Sequence, residues 1–441
     1  MVKKDEQTEY PEIQGCISSV GRDFKGIIDD TGISLRFTRP GDQIVYTLHG
    51  RGRRKYARLV RFEKKLESAV PQCSRFGECG GCSGQHISYD EQFELLTGEL
   101  KDKFLALAGF ALKTEKADNV YSYRNRMDFA VHPHGIGLHQ AENFRRIIDI
   151  EECKIQGERA NDELAVFRNF IRNHPELPYD RRSENGFLKY ITLRNADRLL
   201  TILTFIQDFE TSEQMGDIAE AYKKVSVADD IVFCFNRKKS EVSADGTELV
   251  VKGDGRFHAT VADRYFSVPF NSFFQPNIHE FEKIVSMIKK HLPARHEGVL
   301  VDMFCGSGFF SILFSDMFDE FYGVDVVASA VERANRYFEE NLAGKKFRFE
   351  AMDLFRADAR LQFPENSVLI TDPPRAGLGE RQATLIASSG VEKIIYVSCN
   401  PWQQIEDLKI LKTAYSIIDG MVCDPYPHTP HLESVVILEK K

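Results

Sequence analysis

Short apolar stretches separated by glycine and aspartate turns mark the first 65 residues of the chain. Five such stretches follow one another, at QGCISSV, KGIIDD, ISLRFTR, QIVYTL and ARLVRF. Short strands at this spacing are typical of a small antiparallel sheet. Small five-stranded barrels of this kind commonly bind oligonucleotides. We therefore predict an N-terminal, OB-like β-barrel over residues 1–66.

The pattern changes after the barrel to a mixture of helical and extended segments. Apolar positions near helical spacing predict a helix from Tyr89 to Leu107. Further helices are predicted at ANDELAVFRNFIRNH and EQMGDIAEAYKKV, and strands at LKYITLRN, LLTILTFI and DIVFCFN. We assign residues 67–265 to a central α/β domain.

From residue 277 onward, helical and apolar extended segments alternate. The helix IHEFEKIVSMIKKHL precedes strands at GVLVDMF, FYGVDVV, KFRFEAMD, SVLITD and KIIYVSC, and the chain closes with the apolar strand ESVVILEKK. This alternation is typical of a parallel sheet with crossover helices. We predict a doubly wound, Rossmann-like domain over residues 266–441, which makes the chain an α/β protein overall.

Composition and charge describe a globular chain with one strongly basic segment. The 441 residues are 42% hydrophobic and carry a net charge of −8, and the N-terminus lacks an apolar signal core. We expect a cytoplasmic protein that does not enter a membrane. Residues 49–65 carry eight Lys or Arg, including Arg53, Arg54 and Lys55, against one Glu. Such a run either binds phosphates or is a solvated strand edge.

A glycine-rich turn follows the first strand of the C-terminal domain. The segment VDMFCGSGFFSILF has glycines at 306 and 308, but Ser311 stands where a dinucleotide fingerprint has its third glycine. Asp325, Asp353 and Asp372 end the next three strands, so their carboxylates should converge on one crevice. This favours a cationic nucleoside, S-adenosylmethionine, as the ligand. The alternative is that these acids only cap the following helices.

A cysteine and a glutamate at the same predicted edge form a candidate catalytic pair. Cys399 follows the strand IIYVS; a buried cysteine is more often a small apolar residue, but a thiolate here could add to carbon 6 of a pyrimidine and activate carbon 5. Cys305 is a less favoured alternative. Removing the carbon 5 proton needs a base, for which Glu433 is the candidate and His428 and His431 are alternatives.

Two further signals concern metal binding and the target base. Cys73, Cys79 and Cys82 have the spacing C-x5-C-x2-C, and nine cysteines in a reducing compartment favour metal or catalytic thiols. Thiolates suit zinc and iron–sulfur clusters equally well. In the segment DPPRAG, Arg375 replaces the aromatic residue that amino-methylating enzymes place after Pro-Pro, which argues against methylation of an amino group.

These residues together resemble the RNA (uracil-5-)-methyltransferase family, and most closely its 23S rRNA branch. The shared blocks, in order, are PQCSRFGECGGCSGQHISYDEQ, YRNRMDFA, FFQPN, DMFCGSGFFS, DPPRAGL, YVSCNP and HLE. The resemblance implies a TRAM domain for the N-terminal barrel and Cys399 as nucleophile with Glu433 as base. It also implies cofactor contacts from Gln275, Phe304, Asp325 and Asp372, with Asp353 as a further candidate.

The resemblance also supplies a fourth metal ligand and a substrate. Cys153 matches the remaining cluster ligand, so that Cys73, Cys79, Cys82 and Cys153 would hold a [4Fe–4S] cluster. We expect a monomeric enzyme acting on 23S rRNA; tRNA is the first alternative and a non-catalytic iron–sulfur RNA-binding protein the second. Tyr426, where the family usually has Phe, and the segment NPWQQIEDL depart from the family pattern and concern the target nucleotide.

Overall fold

Two compact units make up the part of the chain that the computed structural model describes. The described residues are 10–441, except 30, 53, 54, 67, 207–212, 237–242, 357–360 and 362. The first unit comprises Met1–Leu96, Leu138–Ile148 and Pro427–Pro430, and the second comprises Thr97–Gly137, Asp149–Tyr426 and His431–Lys441. The division into three domains stays a prediction. No described helix is both long and apolar enough to cross a membrane.

The first unit contains the five predicted N-terminal strands. They are β1 (Glu12–Val20), β2 (Gly26–Ile28), β3 (Ser34–Leu35), β4 (Gln43–His49) and β5 (Tyr56–Lys64), paired antiparallel in the order β3-β2-β1-β4-β5. One face buries Ile17, Ile28, Leu35, Ile44 and Tyr46. The sheet curls so that β3 contacts β5. The prediction of five strands is confirmed.

The middle of the chain contains one long helix and a mixed sheet. The elements are α1 (Tyr89–Ala108), β6 (Lys113–Glu115), β7 (Arg126–His132), β8 (Gly135–Gln140), β9 (Asn143–Asp149), α2 (Glu158–Asn173), β10 (Leu188–Asn195), β11 (Leu199–Phe205), α3 (Glu213–Val225), β12 (Asp230–Phe235), β13 (Thr247–Lys252), β14 (Arg256–Val261) and β15 (Arg264–Pro269). In the second unit the strand order is β13-β12-β11-β10-β7, with β14 and β15 a separate hairpin. The helix predicted to begin at Tyr89, the two helices after it and the three central strands are confirmed.

The second unit also contains the predicted C-terminal sheet. Its elements are α4 (Ile278–Lys290), β16 (His296–Met303), α5 (Phe309–Leu313), β17 (Phe318–Asp325), α6 (Ala328–Asn341), β18 (Lys346–Ala351), β19 (Val368–Thr371), α7 (Gly379–Ala387), β20 (Lys393–Ser398), α8 (Pro401–Leu411), β21 (Tyr415–Cys423) and β22 (Glu433–Lys440). The order is β18-β17-β16-β19-β20-β22-β21-β6. Strands β16 to β20 run parallel, so their carboxyl ends share one edge, and the order reverses direction at β16, where ligands bind in such sheets.

The last strand departs from a purely parallel sheet. Strand β22 lies antiparallel to β20, with Ser398 opposite Ser434, and antiparallel to β21. Because its direction is reversed, β22 begins at the edge where β20 ends. The first residue of β22, Glu433, therefore lies at the same edge as Cys399.

Candidate active site

The turn after β16 is built from three residues with left-handed backbone. Phe304, Gly306 and Gly308 have φ of 63°, 53° and 82°. A Cβ on Gly306 would meet nothing within 4 Å, so only the backbone conformation favours glycine there. The Gly306 N–H donates to Asp325 Oδ2 at 2.9 Å. Asp325, at the end of β17, therefore holds the turn that follows β16.

Ser311, which the sequence showed only as a missing glycine, anchors the helix after this turn. Its backbone N–H and its hydroxyl both donate to Asp302 Oδ2, at 3.2 and 2.7 Å. Asp302 is 1% exposed, and burial raises the pKa of its carboxyl to about 7. The serine thus fixes the start of α5 against β16, a role that a glycine could not fill.

The three predicted acids line one cavity of about 650 Å³ at the carboxyl edge of the sheet. Asp325 Oδ1 accepts the Val327 N–H at 2.8 Å, and Asp353 Oδ1 accepts the Phe355 N–H at 3.0 Å. Asp325 does not cap α6, whose N-cap residue is Val327 without a side-chain hydrogen bond. Both carboxylates instead hold the turn after their strand and also line the cavity. Burial, and then the charge of Asp302, raises the pKa of Asp372 to about 7. The cavity is acidic, which favours a cationic ligand.

Gln275 lines the same cavity from a loop that two buried side chains hold. Asn125 Nδ2 donates to the Gln275 carbonyl at 2.7 Å, and the Asn125 N–H donates to the Pro276 carbonyl at 2.8 Å. Arg194, 1% exposed, donates to the carbonyls of Phe270 and Ser272 at 2.8 and 2.9 Å. Asn125 belongs to the block YRNRMDFA and Gln275 to the block FFQPN. The sequence showed both blocks but not that the first holds the second in place.

Cys399 and Glu433 both line this cavity, together with Asp372, Arg375 and Tyr426. Cys399 is half-buried and Glu433 is 5% exposed. Burial, followed by the charges of Glu433 and Asp372, raises the pKa of the Cys399 thiol to about 11, and the Arg375 charge opposes this rise. Burial and Asp372 also raise the pKa of Glu433 well above its usual range, while Arg375 and the Tyr426 hydroxyl lower it.

The segment Pro373–Gly379 is fixed beside Cys399 by a buried carboxylate that sequence reasoning missed. Asp407 accepts the backbone N–H groups of Leu378 and Gly379 at 2.8 and 3.1 Å, and the Tyr396 hydroxyl at 2.5 Å. Gly377 has φ of 74°, and a Cβ there would lie 2.5 Å from Asp407 Oδ2. Close approach to α8 therefore requires the glycine.

The alternative candidates for the base and the nucleophile lie in different places. His431 lines the cavity, and its Nδ1 lies 3.0 Å from Arg375 Nη2. His428 belongs to the first unit, where its ring Nδ1 lies 3.2 Å from Gln92 Nε2 and its N–H donates to Gln92 Oε1. Cys305 also lines the cavity but is 5% exposed, and burial raises the pKa of its thiol well above the usual range.

The raised pKa of Cys399 predicts a steep pH dependence of its reactivity. Because only the thiolate reacts, carbamidomethylation of Cys399 by iodoacetamide should accelerate about tenfold per pH unit until the pH nears 11. Glu433→Gln removes a negative charge and should move the midpoint to lower pH, whereas Arg375→Ala should move it higher. Mass spectrometry of the peptide containing Cys399 measures this rate. A midpoint near pH 8.5 in the unaltered protein would contradict the prediction.

The four predicted cluster ligands are cysteines without disulfides. In the first unit, Cys79 Sγ accepts the Gly81 N–H at 3.3 Å, and burial, followed by the charge of Cys73, raises the pKa of Cys79. Cys82 belongs to the same unit and is half-buried. Cys153 is buried in the second unit, where its N–H donates to Asn161 Oδ1 at 3.0 Å.

Comparison with known proteins gives a consistent family match. The tRNA (Uracil-5-)-methyltransferase family matches residues 89–441. An RNA methyltransferase of uncharacterized function from Leptospira interrogans is 40% identical over 441 residues, covering 97% of each chain. The tRNA (uracil(54)-C(5))-methyltransferase of Pyrococcus furiosus is 30% identical, covering 96% of this chain and 98% of that protein.

Two further relatives bear on the substrate and the fold. The 23S rRNA (uracil(747)-C(5))-methyltransferase of Pyrococcus abyssi is 27% identical, covering 97% of this chain and 100% of that protein. The crystal structure of the P. abyssi tRNA (uracil-54, C5)-methyltransferase in complex with S-adenosyl-L-homocysteine superposes with a TM-score of 0.77 at 26% identity, covering 97% of this chain and 100% of that one. The α/β fold is thereby confirmed over nearly the whole chain.

Proposed function

The chain belongs to the tRNA (uracil-5-)-methyltransferase family, and on this premise we propose that it methylates carbon 5 of a uridine in RNA through a covalent adduct with Cys399. The observation that carries the proposal is the placement of Cys399 and Glu433 in one cavity with three acids at the strand ends. A uracil bound in this cavity could thus meet a nucleophile, a general base and a cationic methyl donor.

The cavity residues fit S-adenosylmethionine. Because Gly306 has no side chain, the space beside its backbone is open to a ligand. The rings of Phe304 and Phe355 lie on the cavity wall with their centroids 5.7 Å apart. We propose that Gln275, Phe304, Asp325, Asp353 and Asp372 hold the cofactor, with Asp325 accepting hydrogen bonds from the ribose hydroxyls. When bound, S-adenosylmethionine supplies an electrophilic methyl group for carbon 5.

Cys399 supplies the electrons that make carbon 5 reactive. Its thiolate adds to carbon 6 of the uracil, forming an S–C6 bond and placing an enolate-type electron pair at carbon 5. The raised thiol pKa means that Cys399 must lose a proton before it attacks, and the Arg375 charge favours this loss. The electron pair at carbon 5 then forms the bond to the methyl carbon, and the carbon 5 proton is left to be removed.

Glu433 completes the reaction in this proposal. Its carboxylate accepts the proton from carbon 5, and the electrons of that C–H bond re-form the C5–C6 double bond and expel the Cys399 thiolate. A raised carboxyl pKa makes Glu433 a stronger base than a solvated carboxylate. The Tyr426 hydroxyl hydrogen-bonds to the Glu433 carboxylate and, together with Arg375, partly offsets the rise in its pKa.

We propose 23S rRNA as the substrate and retain tRNA as the second candidate. The relatives named for tRNA and for 23S rRNA both align over nearly their full lengths, so the N-terminal domain does not separate the two substrates. Mass mapping of 5-methyluridine in rRNA and tRNA, from cells with and without the gene, tests the choice. A modification lost only from tRNA would overturn the rRNA assignment, and no lost 5-methyluridine would overturn the activity.

We also propose that Cys73, Cys79, Cys82 and Cys153 bind a [4Fe–4S] cluster with a structural or RNA-shaping role. A backbone N–H bonded to Cys79 Sγ is the kind of contact that stabilises cluster thiolates. Anaerobically purified protein should be brown, absorb at about 400 nm and contain about four irons per chain. Cys153→Ser should lose the iron, whereas Cys16→Ser, at a half-buried cysteine of β1, should retain it. Stoichiometric zinc without iron would contradict the proposal.

The basic run at residues 49–65 predicts a role of the N-terminal domain in RNA affinity. Arg53 and Arg54 lie outside the described residues, and Lys55 is exposed. Replacing all three with Ala should lower the slope of log K against log salt by about 2 to 3, because each neutralised phosphate contributes roughly 0.7 to 0.9. Arg61→Ala is the matched control, since Arg61 already pairs with Glu12 at 2.6 Å. An unchanged slope in the triple variant would place the phosphate contacts elsewhere.

A further inference from the structure

An exposed aromatic residue and two arginines follow one another at the start of β9. The Phe144 side chain is 76% exposed, and Arg145 and Arg146 are exposed beside it. Neither guanidinium has an ion-pair or hydrogen-bond partner among the described residues. We call residues 143–146 the hairpin tip, because they follow the Ala141–Glu142 turn between β8 and β9.

Residues 73–82, here called the cysteine-containing loop, hold the hairpin of β8 and β9 in place within the first unit, next to the hairpin tip. The Gly80 N–H donates to the His139 carbonyl at 3.0 Å, and the Ala141 N–H donates to the Glu78 carbonyl at 2.8 Å. Glu142 in the turn pairs with Arg36 at 3.2 Å. A Cβ on Gly80 would lie 3.2 Å from the His139 carbonyl oxygen, so glycine permits this approach. A surface ordered before binding loses less entropy when a ligand binds.

The Phe144 ring is supported on one side. The ring of His139, which is half-buried, packs against it with centroids 6.1 Å apart and planes tilted by 60°. An exposed, supported aromatic ring beside unpaired cations is the combination that binds single-stranded nucleic acid, by stacking a base and contacting phosphates. Exposed cations on an edge strand can also prevent sheet-to-sheet association, and this alternative predicts that a variant without the two arginines self-associates.

We infer that the hairpin tip is a binding surface for a single-stranded segment of the RNA substrate, with Phe144 stacking on a base and Arg145 and Arg146 contacting phosphates. The inference rests on the proposed function, because it assumes that RNA is the substrate. It adds a contact separate from the basic run at 49–65 and from the methyl-transfer cavity. On this inference, the cysteine-containing loop positions the hairpin for RNA binding.

The experiment compares variants of the full-length, anaerobically purified protein. Binding to a fluorescein-labelled 20-nucleotide oligouridylate is measured by anisotropy at several salt concentrations, and methylation is measured on tRNA and 23S rRNA transcripts. Phe144→Leu should weaken binding about 5- to 150-fold, the range for loss of one base stack, whereas Phe144→Trp should restore it. Arg145→Ala with Arg146→Ala should lower the salt slope by about 1.4, and the corresponding double Lys variant should keep it.

The outcomes separate this inference from the proposed function. In methylation assays the Leu and double Ala variants should raise KM with kcat nearly unchanged, because none of residues 143–146 lines the methyl-transfer cavity. If the unaltered protein methylates RNA and all variants bind and methylate equally well, the inference fails alone. If the double Ala variant keeps its RNA affinity but self-associates, the arginines protect an edge strand and the inference fails. If the unaltered protein methylates neither RNA, the proposed function fails first.

Discussion

A Glu433→Gln protein should accumulate methylated RNA covalently attached to Cys399. The glutamine cannot accept the carbon 5 proton, so addition and methyl transfer proceed but elimination stalls. Loss of a general base typically slows its step by about 10²- to 10⁴-fold. The adduct should therefore persist through denaturing electrophoresis as a band of increased mass, and peptide mapping should locate the RNA on Cys399.

The matched control for this prediction is His431→Gln, which removes the histidine that lines the same cavity. It should release methylated RNA without a persistent adduct. A trapped adduct in His431→Gln, together with normal turnover in Glu433→Gln, would transfer the role of base to His431. Normal turnover in both variants would require another base and would remove Glu433 from the mechanism.

A Cys399→Ala protein should neither form an adduct nor transfer methyl groups. Without the thiolate, carbon 5 of uracil lacks the electron density to attack a methyl donor. The loss should be on the order of 10⁶-fold, as for removal of an essential nucleophile. Incorporation of radiolabelled methyl groups from S-adenosylmethionine into RNA measures it, and cofactor affinity should fall far less than the rate.

Two other cysteines sharpen this test. Cys16→Ala changes a half-buried thiol of the N-terminal sheet and should leave methyl transfer intact. Cys305 lies in the cavity wall, and its buried thiol is the alternative nucleophile. An adduct that survives in Cys399→Ala but disappears in Cys305→Ala would reassign the nucleophile. Methyl transfer at the normal rate in Cys399→Ala would refute the covalent mechanism.

Much of the catalytic sheet was predictable because its strands are nearly continuous apolar runs. Buried on both faces, β16, β19 and β20 stand out from the amphipathic helices between them. Parallel strands also share one carboxyl edge, so residues that follow them can be placed together from sequence alone. This reasoning brought Asp325, Asp372 and Cys399 to one edge, and the structure places all three on one cavity.

Strands exposed on one side gave no comparable signal. The sequence TELVVK of β13 is mostly exposed or half-buried, and β14 contains His258 and Thr260 between apolar positions. Strand β13 pairs with β12 across an intervening loop, and β14 pairs with β15, so both are stabilised by cross-strand pairing and packing that leave no simple apolar period in the sequence. These strands were therefore not predicted, although the buried strands β10, β11 and β12 beside them were.

The sequence by itself determined the strand and helix order of the catalytic sheet, the acidic strand ends and the candidate pair Cys399 and Glu433. Only the tertiary structure decided how that pair meets, because the reversed direction of β22 brings Glu433 to the end of β20. It also decided the supports of the site, such as Asn125 bonded to Gln275 across 150 residues, and Asp407 under the loop before Cys399. The physical reason is range: apolar periodicity is a local signal, whereas a buried hydrogen bond depends on partners that only folding brings together.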